Sequence, residues 1–390
     1  MSAGDSLPLF LFGATVLLAL SPIRRPRPLA VASYLAGLGA SELPQLFLVL
    51  LLTATVPPIA ERGLSDEPFG WAVLGLTALT YAGLAVLARR TWQAWDVVGR
   101  ALAEGLGDQA ADRRPSLARV LHVLAAPFPV HPRRVERIAD VSYGEAGRRN
   151  RLDVYRLRSR PADAPVLVYL HGGGYFSGAK HREARALLHR MAAEGWVCVS
   201  ANYRLRPAAG FVDHVVDVKR VIAWIREHGP EYGADPRILV VSGSSAGGHL
   251  AALSALTPGE PVYQPGFEGV DTAVSAAVCL YGYYGRYYGR SEDERPRSSP
   301  LVLDAAHAPP FFLAHGDRDT YLPVQGARAF AARLRRCSSR PVVYAELPGG
   351  QHGFDRFRSL RFEAVVDGVA AFLGRVQDRS RHASQAPGRS

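Results

Sequence analysis

The stretch Gly243-Ser244-Ser245-Ala246-Gly247 constrains this chain more than any other. It follows the apolar run Ile238-Leu239-Val240-Val241 and precedes the helix-like segment Gly248-His249-Leu250-Ala251-Ala252-Leu253. A buried strand therefore runs into a sharp turn with Ser245 at its apex, and a helix leaves directly behind it. Glycine is needed on both sides because a Cβ has no room where strand and helix cross. The result is one hydroxyl lifted into the open at the carboxyl end of a sheet. G-x-S-x-G also occurs by chance in ordinary strand–helix turns, so its weight depends on what surrounds it.

A serine hydroxyl is a weak nucleophile and needs a base, an orienting acid and donors for an oxyanion. Pro165–Leu170 reads as a buried strand, and His171-Gly172-Gly173-Gly174 follows at once. Glycines at that point leave backbone N–H groups free to point into a pocket. The expected donors are the amides of Gly172 and Gly173, joined by that of Ala246 just after the serine. Gly174 is expected to touch substrate. A second strand, Pro310–Ala314, ends in His315-Gly316-Asp317-Arg318-Asp319. Asp319 is the expected acid because it lies past the turn, whereas Asp317 is expected to cap the loop through backbone N–H groups. The last strand, Val342–Leu347, opens into Pro348-Gly349-Gly350-Gln351-His352-Gly353-Phe354. Of the twelve histidines in the chain, only His352 has the right strand, loop and chain order to serve as the base. His171 and His315 read as hydrogen-bonded loop residues. His249 reads as packing beneath the site, and His181, His189, His214 and His307 have no partner pattern.

Further strands, Trp196–Ala201 and Ala273–Leu280, alternate with helical segments, and Asp140–Arg156 reads as a hairpin turning at Gly144–Asn150. This alternation argues an α/β fold with a mostly parallel sheet and helices on both faces. After the strand ending at Leu280 come five tyrosines spaced by glycines, Tyr281 to Tyr288. Tyrosine offers an apolar wall with a polar tip, so this loop, Tyr283 and Tyr284 above all, is expected to contact substrate. The charged segment Ser291–Ser299 is expected to be a mobile flap.

Residues 135–373 resemble the hormone-sensitive-lipase-like carboxylesterases of the α/β-hydrolase superfamily. The resemblance rests on His171-Gly172-Gly173-Gly174, Asn202-Tyr203-Arg204-Leu205, Gly243–Gly248, His315–Asp319 and His352-Gly353-Phe354. The continuation Ser-Ala-Gly-Gly-His-Leu also looks like the acetyl- and feruloyl-esterase-like branch. Two positions depart from the common pattern: Ser244 stands where Asp often precedes the nucleophile, and Asn202 where Asp often precedes Tyr203. The resemblance implies ester hydrolysis through an acyl-enzyme, with Ser245, His352 and Asp319 as the triad and short or medium acyl chains as substrates. No metal or organic cofactor is implied. The same machinery also serves amide hydrolysis or acyl transfer, and an inactive binding protein on the same fold is the alternative of another class.

The chain has 390 residues, 48 % of them hydrophobic, and much of that excess lies at the amino end. Leu7–Leu20, roughly Leu35–Val56 and Gly70–Ala88 are apolar stretches, and a bilayer span needs about 20 residues. Residues 1–90 thus read as a membrane region with two or three transmembrane helices, residues 91–132 as a helical connector, 133–375 as the catalytic domain and 376–390 as a disordered basic tail. The connector is expected either to cover the active-site mouth or to pack as an ordinary linker. No basic leader precedes the first stretch, so a cleaved signal peptide is not expected. Arg24, Arg25 and Arg27 follow the first stretch, Arg89 and Arg90 the third, while Glu61, Arg62, Asp66 and Glu67 separate the second and third. The positive-inside rule places the catalytic domain in the cytoplasm. The net charge of +11 comes almost wholly from arginine, which favours anionic headgroups of membrane lipids. No stacking motif accompanies it, so nucleic acid is not an expected partner. The three cysteines suit a reduced compartment, and their spacing with histidine fits no metal.

Overall fold

The computed structural model describes residues 3–62, 68–107, 114–160 and 162–385. Asp66, Glu67 and the end of the tail beyond Gln385 lie outside them. Eight strands form one sheet in the order β1-β2-β4-β3-β5-β6-β7-β8. They are β1 (Val135–Ser142), β2 (Arg151–Leu157), β3 (Ala164–Leu170), β4 (Val197–Ala201), β5 (Ala234–Ser244), β6 (Ala276–Leu280), β7 (Phe311–Gly316) and β8 (Val342–Leu347). β1 and β2 form the expected hairpin and β2 runs antiparallel to β4. Every pairing from β4 to β8 is parallel. All residues of β3 are buried, as expected of a parallel strand covered on both faces.

Side-chain alternation along the strands splits the interior into two cores. Val166 and Val168 of β3 point to one face, where α7 (Phe211–His228), α8 (Ala246–Leu256) and α9 (Gln325–Cys337) pack. Leu167 and Tyr169 point to the other, covered by α6 (Arg185–Ala193), α10 (Leu360–Gln385) and the end of α4 (Pro68–Leu106).

The amino-terminal region contains α1 (Ala3–Leu20), α2 (Arg27–Glu42), α3 (Pro44–Arg62) and the first part of α4. By length and composition, α4 over Gly70–Leu106 is the one helix among the described residues apolar enough to cross a membrane. α2 and α3 pass the same test only as a pair, and they meet at a 90° bend. The expected single stretch from Leu35 to Val56 is therefore broken. Leu43 precedes Pro44, and the proline ring drives the residue before it out of the helical region; Leu43 has φ −126° and ψ 52°. Leu9 and Val16 of α1, Leu51 of α3 and Val73, Leu84 and Leu87 of α4 form a separate apolar cluster.

α4 continues without interruption past residue 90, and its Trp95, Val98 and Leu102 enter the second core. The described start of the connector thus packs against the sheet. Arg119 of α5 (Leu117–Ala125) bridges Glu363 at 2.6 Å and Asp367 at 2.7 Å, both on α10. α10 itself runs on through Gln385, where a disordered tail from residue 376 was expected. Val376 is still buried against the second core, which extends the helix beyond the point where composition turns polar.

Candidate active site

β5 ends at Ser244 and α8 begins at Ala246, so Ser245 is the entire turn between them. Its φ of 56° and ψ of −116° are a strained conformation for a residue with a Cβ. The flanking glycines explain how the turn is possible. A Cβ on Gly247 would lie 2.0 Å from the Leu170 carbonyl oxygen, and one on Gly243 would lie 2.4 Å from the Gly247 carbonyl. The Ser245 amide donates to the Leu280 carbonyl at 3.0 Å, pinning the elbow to β6.

The loops after β7 and β8 bring Asp319 and His352 to this serine. His352 Nε2 lies 2.9 Å from Ser245 Oγ, and His352 Nδ1 lies 2.7 Å from Asp319 Oδ2. Asp319 is buried, and its other oxygen accepts the amides of Tyr321 at 2.8 Å and Leu322 at 2.7 Å. Burial pushes the Asp319 carboxyl up, but the charge of His352 and hydrogen bonds from His315 and His352 outweigh it. The group is held well below the usual carboxylate range. Asp317 accepts the Gly349 amide at 2.7 Å, the loop-capping role expected of it.

The glycine turn after β3 differs in one respect from expectation. The Gly172 amide donates to the buried carboxylate of Glu183 at 2.6 Å, so it is already engaged. Among the described residues, no acceptor meets the amides of Gly173, Gly174 or Ala246. Gly173 and Gly174 have φ of +112° and +61°, conformations that favour glycine. Nor do Tyr283 and Tyr284 share one environment. Tyr283 is half-buried and its amide reaches the Ser245 carbonyl at 3.3 Å. Tyr284 is buried and stacks on Phe330 with centroids 4.5 Å apart, so it packs in the core and not against a substrate. The exposed aromatics on this side include Phe176 and Tyr288, 6.5 Å apart, and Tyr321, which stacks on the His352 imidazole at 5.4 Å.

His249 is fully buried, bonded to the Tyr175 hydroxyl and the Ser298 carbonyl, and burial lowers its pKa to about 4. His171 stacks on Tyr203 at 4.4 Å, and burial lowers it likewise to about 4. Both are structural, as expected. Two carboxylates beside the site were not foreseen. Asp355 is buried and accepts hydrogen bonds from Ser244 at 2.6 Å, Tyr169 at 3.2 Å and the Tyr281 hydroxyl. Burial raises it, against those hydrogen bonds, and burial followed by the charge of Asp355 raises Glu183. The departure at Ser244 gains a meaning here: the position before the elbow offers a hydroxyl because the carboxylate comes from Asp355.

The sheet order, the strand–Ser–helix elbow and the functional loops at the carboxyl ends of the strands define the class, an α/β hydrolase. Residues 152–284 match the family described as BD-FAE. The chain is 37 % identical to a probable carboxylic ester hydrolase of Mycobacterium tuberculosis, LipM, over 96 % of this chain and 93 % of the relative. It is 39 % identical to the esterase LipQ of the same organism over 70 % of each chain. Among solved structures, the apo form of Thermogutta terrifontis esterase 2 superposes with a TM-score of 0.53 at 28 % identity, covering 64 % of this chain and 96 % of that one. The chain belongs to this family of carboxylic ester hydrolases and is a carboxylesterase.

Proposed function

We propose that Ser245, His352 and Asp319 form the catalytic triad of a membrane-anchored, hormone-sensitive-lipase-like carboxylesterase. The observation that carries this reading is the unbroken hydrogen-bonded chain from Ser245 Oγ through both imidazole nitrogens to the Asp319 carboxylate. His352 takes the Ser245 proton as the hydroxyl oxygen attacks the ester carbonyl. It then gives that proton to the departing alcohol oxygen, leaving an acyl-enzyme. Water attacks the acyl carbon, His352 takes the water's proton, and Ser245 recovers it as the acid leaves. Asp319, held ionised, keeps Nδ1 protonated and Nε2 free to accept. The amides of Gly173, Gly174 and Ala246 receive the oxyanion; Gly172, tied to Glu183, leaves that set. Each such donor is worth about 2.7–4 kcal/mol in the transition state.

A preference for short acyl groups, within the short or medium range expected, is supported by the propionate- and butyrate-bound structures of Thermogutta terrifontis esterase 2. Anchoring is supported by the amino-terminal cluster, whose outer faces expose Leu11, Leu17, Val49, Leu50 and Leu79. Orientation is supported by Arg90, which donates to the Leu20 carbonyl at 3.5 Å. That contact puts Arg24–Arg27 and Arg89–Arg90 at one end of the cluster, the end toward the catalytic domain, and the positive-inside rule then favours a cytoplasmic side for it.

The test is fluorophosphonate labelling of membranes carrying the wild type, Ser245→Ala or His352→Ala, with hydrolysis of soluble esters and matching amides measured in parallel. Labelling at Ser245 that both substitutions abolish, with esters preferred, supports the reading; a folded wild type that takes no label refutes it.

A further inference from the structure

The loop that carries His352 is gripped by the amino-terminal apolar region. At its start, the Ser41 hydroxyl of α2 donates to the Gly349 carbonyl at 3.0 Å. Beside it, the Glu42 carboxylate pairs with the Arg361 guanidinium, both side chains wholly buried. The same guanidinium donates to the Ser41 carbonyl at 3.1 Å and to the Pro348 carbonyl at 3.1 Å. The second Glu42 oxygen accepts the Ser359 hydroxyl at 2.9 Å. At the loop's far end the Tyr34 phenol lies 3.1 Å from where a Cβ on Gly353 would sit. The Tyr34 ring meets Tyr321 edge-on at 4.8 Å, and Tyr321 stacks against the His352 imidazole at 5.4 Å.

A loop containing Gly349, Gly350 and Gly353 has little stiffness of its own. An imidazole that must reach both Ser245 and Asp319 tolerates displacement of only a fraction of an ångström. The stiffness therefore has to come from neighbours, and α2 supplies it on both sides of His352. Burying a carboxylate and a guanidinium is costly in itself, and the best-attested return on such a pair is a fixed register. Here the pair joins positions 319 residues apart and locks α2 against the start of α10. α2 is in turn bound at the Leu43–Pro44 bend to the apolar helices.

We infer that α2 is a positioning element of the hydrolase: Tyr34, Ser41 and the Glu42–Arg361 pair hold the His352 loop in its reactive geometry. The amino-terminal region is then part of the working enzyme as well as its anchor. The inference rests on His352 acting as the base, and the experiment separates the two. Full-length protein in detergent is assayed on a soluble short-chain ester and for its rate of fluorophosphonate labelling, with thermal unfolding followed in parallel. The variants are Tyr34→Ala, Ser41→Ala, Ser41→Thr and the double variant Glu42→Met/Arg361→Met, which removes both charges together. Leu35→Ala, on the exposed face of α2, is the control. Tyr34→Ala, Ser41→Ala and the double variant are expected to lower kcat and labelling rate roughly 10- to 100-fold, with KM within twofold. Ser41→Thr is expected to restore the rate, and Leu35→Ala to match wild type. Folded variants with wild-type kcat overturn the inference, as does a loss of rate that only tracks the folded fraction. Absence of label on folded wild type refutes the triad itself.

Discussion

Glu183 accepts the amide hydrogen of Gly172 at 2.6 Å, and Gly172 sits so close to the elbow that its Cβ would lie 3.1 Å from Ser245 Cβ. A buried carboxylate thus anchors the glycine turn one residue before Gly173. Arg356 lies 3.5 Å from the same carboxylate, so the anchor also reaches the segment following His352. Glu183→Gln keeps an oxygen for the amide, whereas Glu183→Ala leaves a buried N–H unpaired at a cost of about 1–3 kcal/mol. The Gln variant is expected to retain most of its kcat on a soluble ester and the Ala variant to lose both stability and rate. Equal kcat in the two folded variants would show that the anchor does not matter to catalysis.

Gly173→Ala is a sharper probe of the same turn. Its Cβ would fall 2.2 Å from the Ser177 carbonyl oxygen, and its φ of +112° is one that alanine avoids. The turn must move, and the Gly173 donor moves with it. The expected loss in kcat is about 10²–10³-fold, with fluorophosphonate labelling of the folded protein slowed in proportion and the thermal midpoint lowered by the strain in the turn, about 1–3 kcal/mol. A variant with wild-type kcat would remove Gly173 from the oxyanion donors.

Asp319→Asn removes the charge while keeping the shape. The amide offers His352 the wrong tautomeric partner, and kcat should fall on the order of 10⁴-fold. Its pH signature follows from linkage. The folded carboxyl is held below the unfolded value of about 3.9, so the unfolded chain binds more protons in between. The stabilisation is fully present above about pH 4 and is lost as the pH falls toward the folded value. Denaturant unfolding should therefore separate wild type from Asp319→Asn at pH 6, with the gap closing below about pH 3. A gap that does not vary with pH would contradict the ionised, hydrogen-bonded carboxylate.

What could be read from the sequence was whatever local pattern determines. The apolar runs gave the parallel strands because strands covered on both faces show no polar alternation. The elbow and the two loop residues followed from strand ends and chain order. Glu183 and Asp355 carry no such pattern. Glu183 is one acidic residue in a loop and Asp355 one in a single helical turn, and only the packing of Tyr169, Ser244 and Gly172 around them gives them a role. Hydropathy marked the segment from Leu35 to Val56 as apolar but carries no direction, so the right-angled turn at Leu43–Pro44 lay in a single pre-proline residue. The tyrosine loop failed for a related reason: glycine spacing announces a loop, yet does not say which rings turn inward.

Those rings separate by experiment. Tyr284 is buried on Phe330, whereas Tyr288 is 47 % exposed and Phe176 58 %. Tyr284→Ala empties a core position and should cost about 3–5 kcal/mol of stability, read as a lower unfolding midpoint with KM unchanged in whatever remains folded. Tyr288→Ala and Phe176→Ala remove surface that water already reaches, so their stability should stay within about 0.5 kcal/mol of wild type. If these two rings rim the acyl or alcohol pocket, KM should rise several-fold for esters carrying an aromatic group and stay unchanged for methyl esters. A KM unchanged for both ester types would place the substrate elsewhere. It would leave Tyr283, whose amide reaches the Ser245 carbonyl, as the one tyrosine of the loop in touch with the elbow and open to solvent.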